Sequence, residues 1–163
     1  MTDSRPAFTG PELCAWEAHE IVEMLKRGDI SPQDCIEAVL ARIEAVEPAI
    51  NAMPTICAER AYVAAEALKA TATDRTEQDA SGWLAGLPLG IKDLTDVAGV
   101  RTTYGNSALA ANVPAASDPL VTRIESRGGI VIGKTNTPEF GAGANTFNDV
   151  FGVTRNPWDP MLN

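Results

Sequence analysis

The sequence predicts an α/β fold in which three leading helices are followed by a strand, a helix and a second strand. Three observations support this prediction. Apolar residues recur at helical spacing over the first 70 positions, two short apolar runs lie at 86–92 and 130–132, and an amphipathic segment separates those runs. A strand, helix and strand in this order form a right-handed crossover between parallel neighbours, and ligands bind at the carboxyl ends of such strands.

Three helices are predicted, over residues 15–27, 32–48 and 57–70. Gly28 is the C-terminal stop of the first helix. Ser31 caps the second helix, Pro32 occupies its first helical position, and Pro48 ends it. The third helix is rich in alanine, which allows close packing against a neighbour, and the polar residues 71–81 indicate a surface loop.

The βαβ unit begins with the apolar run that ends at Lys92. An irregular segment over 99–116 precedes a helix that Asp118 and Pro119 open and that Gly128 and Gly129 close, and residues 130–132 form the next strand. Beyond it, Thr137 and Pro138 can start one helical turn through Phe140, whereas residues 141–163 offer no element of ordinary length. A structureless stretch of more than about 20 residues is uncommon in a finished domain, so we expect the chain to be incomplete.

Composition excludes several classes of protein. The 163 residues fit one domain, and 45% hydrophobic residues supply a core. A net charge of -9 argues against nucleic-acid and anionic-membrane partners, and residues 1–10 lack the features of a signal peptide, so we expect a cytoplasmic protein. Cys14, Cys35 and Cys57 lack disulfide or zinc spacing, and His19 is the single histidine, so neither a metal nor a cofactor is predicted.

Lys92 is the residue that most directly suggests chemistry. It follows a buried apolar run and precedes Asp93, and the Lys134–Thr135 pair stands at the end of the next strand. Burial lowers the pKa of a lysine and makes it a base, so Lys92 is a candidate for acid–base work at the carboxyl edge of the sheet. The alternative is a solvated turn lysine beside an acidic neighbour.

Residues 128–135 satisfy the phosphate-loop pattern G-x-x-x-x-G-K-T. The four variable positions are strand residues, however, a helix precedes them, and Pro138 disfavours a helix afterwards. A nucleotide-binding protein that uses Lys134 and Thr135 is therefore disfavoured. A noncatalytic helical interaction module centred on 15–70 is the other alternative from a different class.

Four motifs together resemble the amidase signature family. They are Gly-Leu-Pro-Leu-Gly-Ile-Lys-Asp (86–93), Asp-Val-Ala-Gly (96–99), Ile-Val-Ile-Gly-Lys-Thr-Asn-Thr-Pro-Glu-Phe (130–140) and Thr-Arg-Asn-Pro-Trp-Asp-Pro (154–160), within a resemblance that covers about 21–163. The resemblance implies a mixed sheet flanked by helices, and hydrolysis of non-peptide carboxamide C–N bonds by a Ser-cisSer-Lys mechanism. Lys92 corresponds to the catalytic lysine of that family. Gly141, Ala142, Gly143 and Ala144 resemble the segment that borders the acyl pocket, with a flexible turn as the alternative.

In the family, a Gly-Ser-rich segment that carries the bridging serine follows the Asn-Pro-Trp-Asp-Pro turn, and the nucleophilic serine comes later. We therefore expect 1–163 to be the amino-terminal part of a single amidase domain, mainly helical over 1–80 and α/β over 81–163, and inactive alone. The amide-hydrolysing subunit of a tRNA-dependent amidotransferase, which needs partner subunits, is the alternative within the family. The implied substrate is a small-molecule amide, and the resemblance leaves open a homodimer of the full-length protein.

Overall fold

The chain folds around a three-stranded sheet with helices on both sides, in a computed structural model that describes residues 10–71 and 81–163. The predicted loop over 71–81 lies almost entirely outside these residues. The helices are α1 (Ala18–Arg27), α2 (Pro32–Ile50), α3 (Ala58–Thr71) and α4 (Pro119–Ser126), and the strands are β1 (Thr55–Ile56), β2 (Pro88–Lys92), β3 (Ile130–Thr135), β4 (Phe147–Asn148) and β5 (Gly152–Val153). Single 3-10 turns lie at Glu12–Ala15, Ser107–Leu109 and Glu139–Gly141.

Helix α1 starts three residues later than predicted. The backbone N–H of Glu17 donates to the Glu20 carboxylate at 2.9 Å, which fixes the helix start at Ala18 and leaves the preceding apolar residues in a separate 3-10 turn. The predicted stop is confirmed, because Gly28 adopts a left-handed conformation with φ of 75°.

Helix α2 starts as predicted and ends later. The Asp34 N–H donates to Ser31 Oγ at 3.2 Å, and the Ser31 N–H donates to the Asp34 carboxylate at 2.7 Å. The prediction that Pro48 ends the helix is wrong, because Pro48 lies in the last turn, where its missing N–H removes a single helical hydrogen bond. Asn51, with φ of 54°, caps the helix and donates its N–H to the Glu47 carbonyl at 2.8 Å.

The predicted βαβ unit is confirmed. Strands β2 and β3 pair in parallel, α4 precedes β3 along the chain, and β3 extends three residues beyond the predicted strand. Strand β1, which was not predicted, pairs antiparallel with the other side of β3 and makes the sheet mixed, in the order β1-β3-β2. Within the described ranges, β2 is therefore an edge strand, paired only with β3.

Alternate residues of β3 pack on opposite faces of the sheet. On one face Ile130 and Ile132 pack against α2 and α3, in a cluster completed by Ile36, Ala61 and Ala65. On the other face Val131 packs with Ile91, Val97, Val100 and Val121. Burial of apolar side chains on both faces makes β3 the centre of the core.

The register of the β2–β3 pair shifts by one residue. Leu89 is opposite Val131, but Gly90 is opposite Gly133, so Ile132 has no partner on β2. Such an irregularity changes the face on which the following side chains lie. This matters for Lys134, which would otherwise share the face of Ile132.

The hairpin formed by β4 and β5 is tied to the end of α2, about 100 residues earlier in the chain. The Asn51 side-chain amide donates to the carbonyls of Phe151, at 2.7 Å, and Val153, at 3.1 Å. In return, Thr154 Oγ1 donates to the Asn51 carbonyl at 2.6 Å. Asn136, just after β3, also donates to the hairpin through Thr154 Oγ1 at 3.0 Å.

Candidate active site

Lys92 is the last residue of β2 and lies opposite Thr135, the last residue of β3. Both residues therefore stand at the carboxyl edge of the parallel pair, as predicted. The side chain of Lys92 is exposed, whereas its position after an apolar run predicted burial. The reason is that Lys92 ends an edge strand, so only β3 covers it within the described part of the sheet.

The residue after Lys92 is fixed by a dense set of hydrogen bonds. Asp93 is fully buried, and its carboxylate accepts from the Thr103 N–H at 3.1 Å and from Thr103 Oγ1 at 2.5 Å. Its backbone N–H donates to the Thr135 carbonyl at 2.8 Å, and its carbonyl accepts from the Tyr104 N–H at 3.0 Å. The direction in which the chain leaves Lys92 is thereby set.

Lys134 is the fully buried lysine of this region. Its ammonium donates to the Thr95 carbonyl and to Thr102 Oγ1, both at 2.6 Å, and lies 3.9 Å from Asp93 Oδ1. Burial lowers the pKa of Lys134 below its ordinary value of 10.5, and the neighbouring carboxylates of Asp93 and Asp96 oppose part of that shift. The sequence predicted Lys134 at a strand end but not its burial beside Asp93, because nothing in the local pattern shows the register shift.

The segment Gly141, Ala142, Gly143 and Ala144 lies beside the loop that follows Lys92. A Cβ on Gly141 would come within 2.8 Å of Leu94 Cδ2, so the two loops touch, and Gly141 has φ of +74°, which favours glycine. The other three residues of the segment are exposed. The small residues thus form an exposed rim next to Leu94, two positions after Lys92.

Two strained aromatic residues join these loops. Tyr104 and Phe140 both have left-handed backbones, with φ of 55° and 48°, and their rings stack with centroids 6.3 Å apart. The Phe140 N–H donates to the Tyr104 carbonyl at 2.7 Å, and the Tyr104 hydroxyl bonds to the Asp96 carboxylate. This carboxylate contact raises the pKa of Tyr104 from 10.0 to about 12, so the phenol keeps its proton, and with it the bond to Asp96, well into the alkaline range. Backbone strain of this kind persists where surrounding contacts enforce it, and it is common at functional sites.

The phosphate-loop pattern does not form a phosphate loop. The N–H groups of Gly128 and Gly129 donate to the carbonyls of Glu125 and Ile124, which closes α4, and the Ile130 N–H donates to Leu87. The rest of the pattern is strand β3, and its lysine is buried. The prediction that this run is a helix end followed by a strand is confirmed, and its amides are not free to cradle an anion.

Other kinds of site can be addressed only for the described ranges. Within 10–71 and 81–163, no three or more His, Cys, Asp and Glu side chains are grouped to hold a metal ion. None of the helices in that part of the chain combines the length and the apolar character that a membrane span requires.

These observations define a class of structure: a mixed α/β unit with a lysine at the carboxyl end of a parallel strand. The family model described as Amidase matches residues 34–163, four fifths of the chain. The chain therefore belongs to the amidase family, and the resemblance found in its motifs is confirmed.

Individual relatives agree with this assignment. The chain is 44% identical over 137 residues to a glutamyl-tRNA(Gln) amidotransferase subunit of Roseiflexus sp. (strain RS-1), and this match covers 84% of the chain and 27% of that protein. A bacterial aryl acylamidase of the amidase signature family matches with a TM-score of 0.77 and 30% identity, over 88% of the chain and 30% of that structure. A 6-aminohexanoate cyclic dimer hydrolase matches with a TM-score of 0.73 and 31% identity, over 88% and 28%. The chain thus spans about 30% of the length of its relatives.

Proposed function

We propose that this chain is the amino-terminal part of a single amidase domain, which hydrolyses a non-peptide carboxamide and uses Lys92 as its base. The proposal rests on the position of Lys92 at the carboxyl end of β2. The preceding residue, Ile91, is paired with β3, and the following residue, Asp93, is held by Thr103. The glycine-rich motif around Lys92 resembles the family motif that carries the catalytic lysine, which supports this role for Lys92. Membership of the family makes amide chemistry the first expectation.

The proposed chemistry needs no histidine. A neutral lysine amine accepts a proton through a bridging serine from the nucleophilic serine, whose oxygen then attacks the amide carbon. The lysine returns the proton to the leaving amine as the C–N bond breaks, and water then hydrolyses the acyl-enzyme. Both serines belong, by the family resemblance, to sequence after the Asn-Pro-Trp-Asp-Pro turn, so this chain contributes only the lysine.

Because the side chain of Lys92 is exposed here, its role as a base requires further cover. Relatives about three times longer than this chain have additional sequence that can supply it. Desolvation by such cover disfavours the ammonium and leaves more of the amine unprotonated near neutral pH.

We further propose that Gly141, Ala142, Gly143 and Ala144 border the acyl side of the substrate. Contact between Gly141 and Leu94 brings this segment next to the Lys92 loop, and three of its four residues are exposed. Side chains this small leave room for a small-molecule amide.

The free thiols of the described residues and the negative charge support a cytoplasmic location.

A second candidate function is that of the amide-hydrolysing subunit in a tRNA-dependent amidotransferase. The observation that favours it is the identity of about 40% to several curated relatives that are named as glutamyl-tRNA(Gln) amidotransferase subunits. The two candidates differ in a simple assay with the full-length protein. An independent amidase releases ammonia from simple amides alone, whereas an amidotransferase subunit needs its partner subunits.

The main experiment replaces Lys92 in the full-length protein. We expect Lys92→Ala to lower kcat by about 10²- to 10⁴-fold, the usual contribution of a general base, while circular dichroism shows an unchanged fold. Lys92→Arg should be nearly as damaging, because a guanidinium stays protonated and cannot accept the proton. Steady-state ammonia release from one good amide substrate measures both.

Lys26→Ala is a matched control, because Lys26 is a partly exposed lysine on α1 whose ammonium pairs with the exposed Glu23 at 3.3 Å. This variant should keep the wild-type kcat. A Lys92→Arg protein with near-wild-type kcat would show that Lys92 is not the base and would sink the proposed mechanism.

A further inference from the structure

We propose that Lys134 is a positioning residue for Lys92, a role that rests on the proposed function of Lys92 as the base. Its buried ammonium clamps the turn that follows Lys92 and so fixes the point from which the Lys92 side chain leaves the sheet. Lys134 touches neither substrate nor reacting atoms in this role.

The first support is where the donors of the ammonium point. Two of them reach the Thr95 carbonyl and Thr102 Oγ1 at 2.6 Å each, and Asp93 Oδ1 lies 3.9 Å away. Thr95 in turn donates its N–H to the Lys92 carbonyl at 3.0 Å. Lys134 is therefore linked to Lys92 through a single intervening residue, Thr95, by hydrogen bonds alone.

The second support is that the clamp joins separate parts of the loop. Thr95 and Asp93 lie just after β2, whereas Thr102 lies seven residues beyond Thr95. Thr103 closes the same arrangement from the far side, because its N–H and hydroxyl donate to the Asp93 carboxylate. One ammonium and one carboxylate thus hold both ends of the turn.

The third support is the placement of Lys134 relative to Lys92. Lys134 lies opposite Ile91 and Lys92 lies opposite Thr135, so the two lysines stand on opposite faces of the sheet. The register shift at Gly90 directs Lys134 away from the Ile130 and Ile132 face and under the loop. Lys134 can therefore hold the turn from below without occupying the space around the Lys92 amine.

A buried ion pair is a costly way to hold a turn, because hydrophobic residues of similar volume often stabilise a core as well or better. The geometry points instead to conformational specificity. Apolar contacts have no preferred direction and would fit several backbone paths of the loop. The two hydrogen bonds of the ammonium, at 2.6 Å each, depend on distance and angle and so favour one path. A path displaced by about 1 Å at the base would cost about 100-fold in rate.

The test uses Lys134→Met in the full-length protein, since methionine keeps the length of the side chain and removes its charge and donors. We expect kcat to fall by about 10- to 100-fold, less than for Lys92→Ala, while KM stays within about twofold. Ile36→Ala is the control for lost stability, because Ile36 is fully buried on the other face of the sheet. At a temperature where circular dichroism shows both variants folded, Ile36→Ala should keep its kcat within about twofold of wild type.

Thr102→Val decides the question if Lys134→Met does not fold. It removes one acceptor of the Lys134 ammonium, together with the bond that the Thr102 hydroxyl donates to the Val100 carbonyl at 3.1 Å, and it leaves the charge pair intact. A folded Thr102→Val protein with reduced kcat and unchanged KM supports the clamp. Wild-type kcat in a folded Lys134→Met protein overturns the clamp. If Lys134→Met is unfolded, wild-type kcat in Thr102→Val overturns it. An Ile36→Ala protein that loses as much kcat as the clamp variants also overturns it. If Lys92→Ala itself stays active, the proposed function fails; if Lys92→Ala is inactive while the clamp variants are fully active, only the positioning role fails.

Discussion

Separating the Lys134–Asp93 pair should cost far more stability than separating any exposed pair. Both side chains are completely buried, and the charged atoms lie 3.9 Å apart. At this separation the attraction is about 4 kcal/mol with an effective dielectric constant of about 20, and desolvation of both ions opposes it. We expect Lys134→Met to lower the free energy of unfolding by about 3–5 kcal/mol, because it leaves a carboxylate buried without its counter-charge.

A double-mutant cycle isolates the pair. Asp93→Asn removes the negative charge while keeping the size of the side chain, so the double variant Lys134→Met/Asp93→Asn should recover part of the loss. The expected coupling energy is about 1–3 kcal/mol, the upper part of the range for residues in one network. Urea unfolding of the full-length protein, followed by circular dichroism at pH 7, measures the four free energies.

The exposed pair Lys26–Glu23 provides the matched comparison, with a shorter distance of 3.3 Å but a partly solvated ammonium. The same cycle with Lys26→Met and Glu23→Gln should give a coupling energy below about 0.5 kcal/mol. If the buried pair couples no more strongly than this surface pair, burial does not strengthen the Lys134–Asp93 interaction and the reasoning is refuted.

Two further predictions concern stability. Burial raises the pKa of Cys35 from 9.0 to about 11, so the thiol contributes stability that is complete below pH 9 and is lost as the pH rises through 11. The loss amounts to roughly 2–3 kcal/mol, and thermal melts of Cys35→Ala should show a flatter decline above pH 9 than wild type; parallel curves would contradict this. Gly133→Ala should destabilise by about 1–3 kcal/mol, because its Cβ would lie 2.5 Å from the Thr55 backbone carbonyl. Gly90→Ala, on the paired strand, meets only the side chains of Met53 and Thr135 and should cost less in the same urea titration, and an equal cost would rule out the backbone clash as the cause.

The helices and the parallel strand pair could be predicted because each leaves a local signal. Ser31 with Pro32 marks the start of α2, Gly28 ends α1, and the Ile130 run is apolar enough for a strand buried on both faces. Strand β1 left no signal, since it has two residues and exists only through its pairing with β3. The hairpin strands β4 and β5 are equally short, so periodicity could not reveal them.

The burial of the two lysines could not be predicted for a different reason. Both follow apolar runs at strand ends, and this pattern predicted that the buried lysine is Lys92. The structure exposes Lys92 and buries Lys134, because β2 lies at the edge of the sheet, β3 lies at its centre, and the extra residue Ile132 changes the face on which Lys134 lies. Strand order and register are set by long-range pairing, which a local pattern does not contain.

The hydrogen bonds between Asn51 and the β4–β5 hairpin have a consequence for the order in which the chain folds. Asn51 caps α2, and its partners Phe151 and Val153 come 100 and 102 residues later. Formed first, these contacts would carry the full entropy of closing a loop of about 100 residues. Packing of α2 against β3 shortens that loop, so we expect the contacts to form only after α2 and β3 are in place. During synthesis on the ribosome, the side-chain amide of Asn51 can therefore bond to its acceptors only after most of this chain has been made.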